Sequence, residues 1–151
     1  MQTGDQAPDF TATDQTGATV RLSEILADGA VVLFFYPKAF TPGCTKESCH
    51  FRDLAAEFAD AGAQRVGVSS DDVSTQAEFD AAHQLGFPLL SDPDRAIAKL
   101  FGVRRPRPLL NKRKTFVIGT DRRIVDVIGS EFNMETHAVA ALTALHSQDG
   151  P

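Results

Sequence analysis

The run Ala30-Val31-Val32-Leu33-Phe34-Phe35-Tyr36 constrains the fold more than any other stretch of this chain. It is rich in β-branched and aromatic residues and shows no alternation, which is how a strand covered on both faces reads. It falls far short of the ~20 apolar residues needed to span a bilayer, and no longer apolar run follows. Something must therefore pack on each side of this strand.

The rest of the chain supplies those layers. Residues 10–14 and 18–22 read as a hairpin turning through Gln15-Thr16-Gly17. Ser23 is placed to cap a short helical turn that Asp28-Gly29 closes. After the buried strand, a helix is expected over residues 42–61, ended by Gly62. A second apolar strand follows at 64–69, and a helix at 74–84 capped by Ser74. A short strand at 87–90, a helix at 93–101, strands at 115–118 and 124–128, and a last helix from Asn133 or Thr136 to about Leu145 complete the pattern. Residues 147–151 read as a frayed tail. This order predicts an α/β three-layer sandwich with a mixed central sheet and an N-terminal β-hairpin, a layout that resembles the thioredoxin-like fold.

Length and charge narrow the function classes. The 151 residues fit a single domain, 1–151, long enough to fold without a disulfide staple. The net charge of −5 offers no basic footprint for nucleic acid or an anionic membrane, and the basic cluster at 104–114 is short and interrupted by Pro106 and Pro108. The first residues, Met1-Gln2-Thr3-Gly4-Asp5, have neither the basic nor the apolar region of a signal peptide, so a cytoplasmic location is expected. In a reducing cytosol thiols stay free, and a close cysteine pair there is more often catalytic or metal-binding than structural. The chain has two cysteines, Cys44 and Cys49, only five positions apart.

These cysteines open the long helix directly behind the buried strand, where sites in open α/β sheets lie. Thr41 is a good N-cap and Pro42 a preferred first helical residue, which puts Cys44 in the first turn. Unpartnered N–H groups and the positive end of the helix dipole favour a thiolate there. A free thiol of pKa ~8.5 is only about 3% ionised at pH 7, and lowering such a pKa to ~6 takes roughly 3.4 kcal/mol. A helix terminus supplies up to ~2 kcal/mol, so a nearby cation is expected to supply the rest.

Helical geometry separates the two sulfurs. Residues five apart differ by about 140° and lie roughly 8–9 Å apart between Cα atoms, beyond the ~7 Å a disulfide tolerates. Cys44 shares its face with Phe51, Ala55 and Phe58, which is expected to point inward. Cys49 lies with Arg52, Asp53 and Asp60, toward solvent. A bond between the cysteines therefore requires the first turns to unwind, and amides over residues 45–52 should lose exchange protection on oxidation. Spacing alone leaves alternatives: two unrelated residues, a metal site using Cys44, Cys49 and His50, or a dithiol oxidoreductase. Zinc usually needs a second ligand pair, which is missing, and the thioredoxin-type site has two residues between its cysteines rather than four.

The string Pro37-x-x-x-Thr41-x-x-Cys44 resembles the active-site motif of the peroxiredoxins. Phe35-Tyr36-Pro37 through Thr41-Pro42-Gly43-Cys44-Thr45-Lys46-Glu47 to Cys49 is similar to one subfamily, peroxiredoxin Q or bacterioferritin-comigratory protein. Gly4-Asp5-Gln6-Ala7-Pro8-Asp9-Phe10, Val68-Ser69-Ser70-Asp71, Pro88-Leu89-Leu90-Ser91-Asp92 and Thr115-Phe116-Val117-Ile118 resemble its other blocks, so the likeness covers nearly the whole chain.

The resemblance implies a thiol peroxidase for hydrogen peroxide and organic hydroperoxides. Cys44 matches the peroxidatic cysteine that becomes a sulfenic acid. Cys49 matches the resolving cysteine that closes an intramolecular disulfide. Thr41 matches the hydroxyl that bonds sulfur and peroxide, Pro37 the proline that shields the pocket, and Arg113 the required cation. Arg113 alone among Arg104, Arg105, Arg107 and Arg113 starts the strand expected beside the site. No metal, haem or other cofactor is implied. A dithiol such as thioredoxin is implied as reductant, and a monomer as the state of assembly.

Departures are Lys114, where the family has a small residue, and Gly119, where it has aspartate. The chain lacks the Gly-Gly-Leu-Gly and Tyr-Phe blocks of the peroxide-sensitive relatives, so resistance to overoxidation is expected. The alternative function is a redox sensor or disulfide relay with little turnover; a non-catalytic binding module would leave Thr41, Cys44 and Arg113 unexplained. Asp71 and Asp72 read as turn or capping residues, and the four histidines as surface or helix residues.

Overall fold

The computed structural model describes residues 1–131 and 133–149. Its centre is the apolar run. Strand β3, Ala30–Phe35, lies between parallel β4 (Ala63–Ser69) and antiparallel β6 (Lys114–Ile118). The sheet continues through β5 (Leu89–Ser91) to the hairpin of β1 (Thr11–Thr13) and β2 (Thr19–Arg21), and on the other side to β7 (Ile124–Gly129). The seven-stranded order is β2-β1-β5-β4-β3-β6-β7, mixed in direction as expected.

Alternate residues of β3, with Tyr36 just beyond it, feed two cores. Val31, Leu33 and Phe35 pack with Leu22 of α1 (Leu22–Ile25) and with Ile97 and Ala98 of α5 (Ala96–Leu100). Val32, Phe34 and Tyr36 pack with Cys44 and Phe51 of α2 (Pro42–Asp53), Phe58 of α3 (Ala55–Asp60), Phe79 of α4 (Val73–His83) and Ala138 and Ala141 of α6 (Met134–Asp149). Covering both faces of β3 removes any reason for alternation in its sequence.

Several details differ from the sequence reading. The helix expected over 42–61 is two helices, broken at Leu54 (φ −98°, ψ 23°). Arg65 Nη1 donates to the Phe51 carbonyl at 3.0 Å, the group an unbroken helix would offer to the Ala55 N–H. The break rotates Ala55 out to solvent, while Phe51 and Phe58 stay buried. Ser23 does not cap; its backbone N–H and its hydroxyl bond the Asp9 carboxylate at 3.0 and 2.9 Å. Asp72, not Ser74, caps α4 by accepting the Thr75 N–H at 2.8 Å. Helix α5 is shorter than expected, because Asp92 binds the N–H groups of Ile97 and Ala98 at 3.1 and 2.9 Å. Helix α6 continues through residues 147–149, expected to fray; residues 150 and 151 lie outside the described part. Among the described residues no helix is long and apolar enough to cross a membrane.

Candidate active site

Strand register brings the site together. Phe35 pairs with Lys114, so Arg113 enters beside the carboxyl end of β3, where the chain turns through Pro37 into α2. Thr41 occupies the N-cap with extended backbone (φ −77°, ψ 152°) and Pro42 follows at the first helical position, as the sequence predicts. The Thr41 hydroxyl makes no capping bond. It donates to the Lys38 carbonyl at 2.7 Å. Pro37 is half-buried between strand and turn.

The turn is held in an uncommon shape. Phe40 has φ +65°, a left-handed conformation that side-chain-bearing residues seldom adopt. Its exposed ring meets the edge of Phe79, with centroids 5.2 Å apart. Next to it, the Asp71 carboxylate accepts the Ala39 N–H at 2.8 Å and the Ser69 hydroxyl at 2.6 Å. Gln76 donates to Ser69 Oγ and to the Leu90 carbonyl, both at 3.0 Å, and accepts the hydroxyl of Tyr36. A closed network thus pins the turn to β4, β5 and α4, and this over-determination sustains the strain at Phe40.

Cys44 is fully buried in the first turn of α2, and Arg113, 6% exposed, reaches it. Arg113 Nη2 donates to Cys44 Sγ at 3.2 Å and Nη1 to Glu47 Oε1 at 2.8 Å. A Cβ on Gly43 would stand 3.3 Å from Arg113 Nη2, so glycine there makes room for the guanidinium. The Arg113 backbone N–H is held by Glu131 Oε1 at 3.0 Å, which also pairs with Arg105 at 3.0 Å. Arg104 and Arg107 remain exposed. Arg113, picked out from sequence, is therefore the cation at the sulfur. Burial pulls its pKa down, but the charges of Glu47 and Cys44 outweigh that and hold it above the ordinary value.

Cys49 is half-buried one turn and a half further along α2, and both cysteines are free thiols. The nearest described aromatic anchor beyond it is Phe51, stacked on Phe34 with centroids 4.2 Å apart.

Two participants escaped the sequence reading. Glu47 is completely buried, although a charged residue early in a helix ordinarily faces water. Its position three residues after Cys44 on the inward face was the available signal. Burial pushes its pKa up to about 8, against the opposing pull of Arg113. His137, a helix residue as expected for the histidines, is also fully buried. It shares the inward stripe of α6 with Ala141 and Leu145 at four-residue spacing. Its Nδ1 lies 2.8 Å from Thr115 Oγ1 and its Nε2 2.8 Å from the Ser130 carbonyl. Burial and the Arg113 charge pull its pKa down, against the Ser130 carbonyl and Glu131. Among the described residues no group of three or more His, Cys, Asp or Glu side chains could hold a metal ion. A surface hollow of ≈ 600 Å³ along α6 beside Asn133, Thr136, Ala140 and Thr143 does not include Cys44. Volume therefore does not locate the chemistry here; the buried sulfur–guanidinium contact does.

A buried cysteine at a helix start, touched by a guanidinium on a mixed sheet of this order, defines a thiol-dependent oxidoreductase of the thioredoxin-like class. The chain belongs to the AhpC/TSA family, whose model matches residues 3–127. It is 55% identical to the peroxidoxin BcpB of Mycobacterium tuberculosis, whose crystal structure superposes with a TM-score of 0.93 over 97% of each chain. The bacterioferritin comigratory protein of Xanthomonas campestris, a protein with alkyl peroxide reduction activity, is 32% identical, with a TM-score of 0.86 over 93% of this chain and 92% of that one. The chloroplastic peroxiredoxin Q of Oryza sativa subsp. japonica is 39% identical over 147 residues, 95% of this chain and 66% of that longer protein. The chain is accordingly a peroxiredoxin, a thiol-dependent peroxidase, with neighbours in the peroxiredoxin Q group.

Proposed function

We propose that Cys44 attacks the peroxide and that Cys49 resolves the product. The single observation that carries this is the 3.2 Å contact from Arg113 Nη2 to a Cys44 sulfur buried at the start of α2. The thiolate displaces the distal oxygen of the O–O bond. Cys44 becomes a sulfenic acid, and the leaving oxyanion takes a proton to give water or an alcohol. Arg113 stabilises both the thiolate and the charge that develops on the leaving oxygen. The Thr41 hydroxyl, already donating to Lys38, has lone pairs left to accept the peroxide O–H. Pro37 excludes water from the turn. The structural relationship to a protein that reduces alkyl peroxides supports organic hydroperoxides as substrates alongside hydrogen peroxide.

Resolution follows when the Cys49 thiol attacks the sulfenic sulfur, water leaves and a disulfide closes. An external dithiol, of which thioredoxin is the type the resemblance implies, returns both thiols. The break at Leu54 favours unwinding confined to α2, with α3 and the stacked Phe51 left as an anchor. Exchange protection should therefore fall over residues 45–52 on oxidation and persist in α3; equal loss in both helices would refute a local rearrangement. Two free thiols fit a reducing, cytoplasmic setting, and a monomer suffices because every proposed group comes from one chain.

The deciding experiment is a thiol count. The reduced protein receives one equivalent of hydrogen peroxide, is quenched within seconds, and its free thiols are counted. Both thiols should vanish in the parent, one in Cys49→Ser, and the loss should be slow in Thr41→Val. Thiols that persist as long as those of free cysteine would overturn the assignment of Cys44. Turnover with a recycling dithiol separates a peroxidase from a redox relay.

A further inference from the structure

Glu47 uses only one of its oxygens on Arg113. Its Oε2 is buried, has no hydrogen-bond partner among the described residues, and lies 3.6 Å from His137 Nδ1. The other ring nitrogen, Nε2, faces the Ser130 carbonyl, which can only accept, so Nε2 carries a hydrogen. The protonation state of His137 therefore turns on Nδ1, the atom that looks at Glu47 Oε2 and Thr115 Oγ1. With Glu47 ionised and His137 neutral, a lone pair would face a carboxylate oxygen in a dry interior. A proton on either atom relieves that opposition.

We propose that Glu47 and His137 together hold one proton, and that this proton makes His137 a positioning residue by freeing the Arg113 charge for Cys44. The proposal rests on the reading of Cys44 and Arg113 as the reacting pair. The charge count explains why it matters. A Cys44 thiolate and Arg113 cancel. An ionised Glu47 without a proton nearby leaves the buried cluster with one net negative charge and divides the guanidinium between two anions. One proton on the pair restores neutrality, and the thiolate then has Arg113 to itself. The charged and titratable groups facing His137 are Glu47 from α2, Arg113 ahead of β6 and Glu131 after β7. Thr115 is a neutral partner that can donate or accept, and Glu131 is already engaged by Arg105 and the Arg113 backbone. The raised pKa of Glu47 agrees with a proton retained there at neutral pH.

The test reads the thiolate titration of Cys44 in a Cys49→Ser background, by alkylation rate against pH. His137→Gln keeps a hydrogen-bond donor but cannot hold a proton. The pair then loses one of its two proton-holding sites, Glu47 is ionised over more of the pH range, and the thiolate titration should move up by about one pH unit, making peroxide consumption on its acid side roughly tenfold slower. Glu47→Gln is neutral and should not raise the titration. On that background His137→Gln should have no further effect. A shift that persists undiminished in Glu47→Gln, or a His137→Gln protein that titrates like the parent, overturns the proposal. If His137→Gln does not fold, the pH–rate profile decides. The parent should slow above about pH 8 as the pair loses its proton, and Glu47→Gln should abolish that fall. A fall that survives the substitution overturns the proposal. Cys44→Ser, read alongside, keeps the two readings apart: peroxide consumption surviving there defeats the assignment of Cys44, while the proton-holding role stands or falls on the titrations.

Discussion

Two buried polar networks stand on the same face of the sheet, one on each side of the turn into α2. Tyr36, Gln76, Ser69 and Asp71 form one, and their polar hydrogens all find acceptors in carbonyls, carboxylate or hydroxyl. Arg113, Glu47, His137 and Thr115 form the other, in which Glu47 Oε2 and Arg113 Nε have no protein partner among the described residues. A satisfied network fixes geometry. An unsatisfied one in a dry interior is costly and persists where its free valences do chemistry. The first network sets where the Pro37–Thr41 turn lies, and the second sets what the sulfur beside it can do.

Substitutions in the two networks should therefore fail in opposite ways. Arg113→Met should slow peroxide consumption by roughly 10²–10³-fold, the scale for losing one preorganised donor to a developing oxyanion. Gln76→Leu should cost about 2–3 kcal/mol of stability, because Tyr36 and the Leu90 carbonyl lose buried partners. Its folded fraction should react with peroxide at nearly the parent rate. Stopped-flow peroxide consumption and urea denaturation, run on both variants, check this. A Gln76→Leu protein as slow as Arg113→Met would show that the two networks are one device.

The same contrast explains what was legible in the sequence. The path of β3 into α2 was readable because Thr41 and Pro42 are local signals, and Cys44 followed from counting along that helix start. Arg113 was readable only once a strand was expected to begin beside it. Gln76 was not singled out, since a glutamine inside a helix carries no local mark of burial. Glu47 and His137 lie on the inward stripes of α2 and α6, with Phe51 and with Ala141 respectively, but charge outweighs periodicity in a sequence reading. Their burial is a tertiary fact: each is admitted by a partner from another element, Arg113 for Glu47 and Ser130 with Thr115 for His137. The break at Leu54 was illegible for the same reason, because the guanidinium that takes the Phe51 carbonyl comes from β4.

A last contrast separates the networks by pH. Burial raises Glu47 from its ordinary 4.5 to about 8, so the native state keeps a proton that the unfolded chain has lost. Stability from this group is fully present below about pH 4.5, declines as pH rises through the window, and is gone above about pH 8. This is the reverse of a carboxylate whose pKa is lowered by an ion pair. Relative to Glu47→Gln, which has no proton to lose, the parent should therefore lose stability between pH 5 and about pH 8 and level off above it. Burial pushes the Tyr36 hydroxyl above its ordinary range, so it stays protonated throughout that interval and contributes no slope. Tyr36→Phe should be less stable than the parent by the same amount at pH 5, 7 and 9. Urea midpoints at those three pH values test both statements. A constant gap between the parent and Glu47→Gln would mean that Arg113 keeps Glu47 ionised throughout, and that the charged network is as closed as the neutral one.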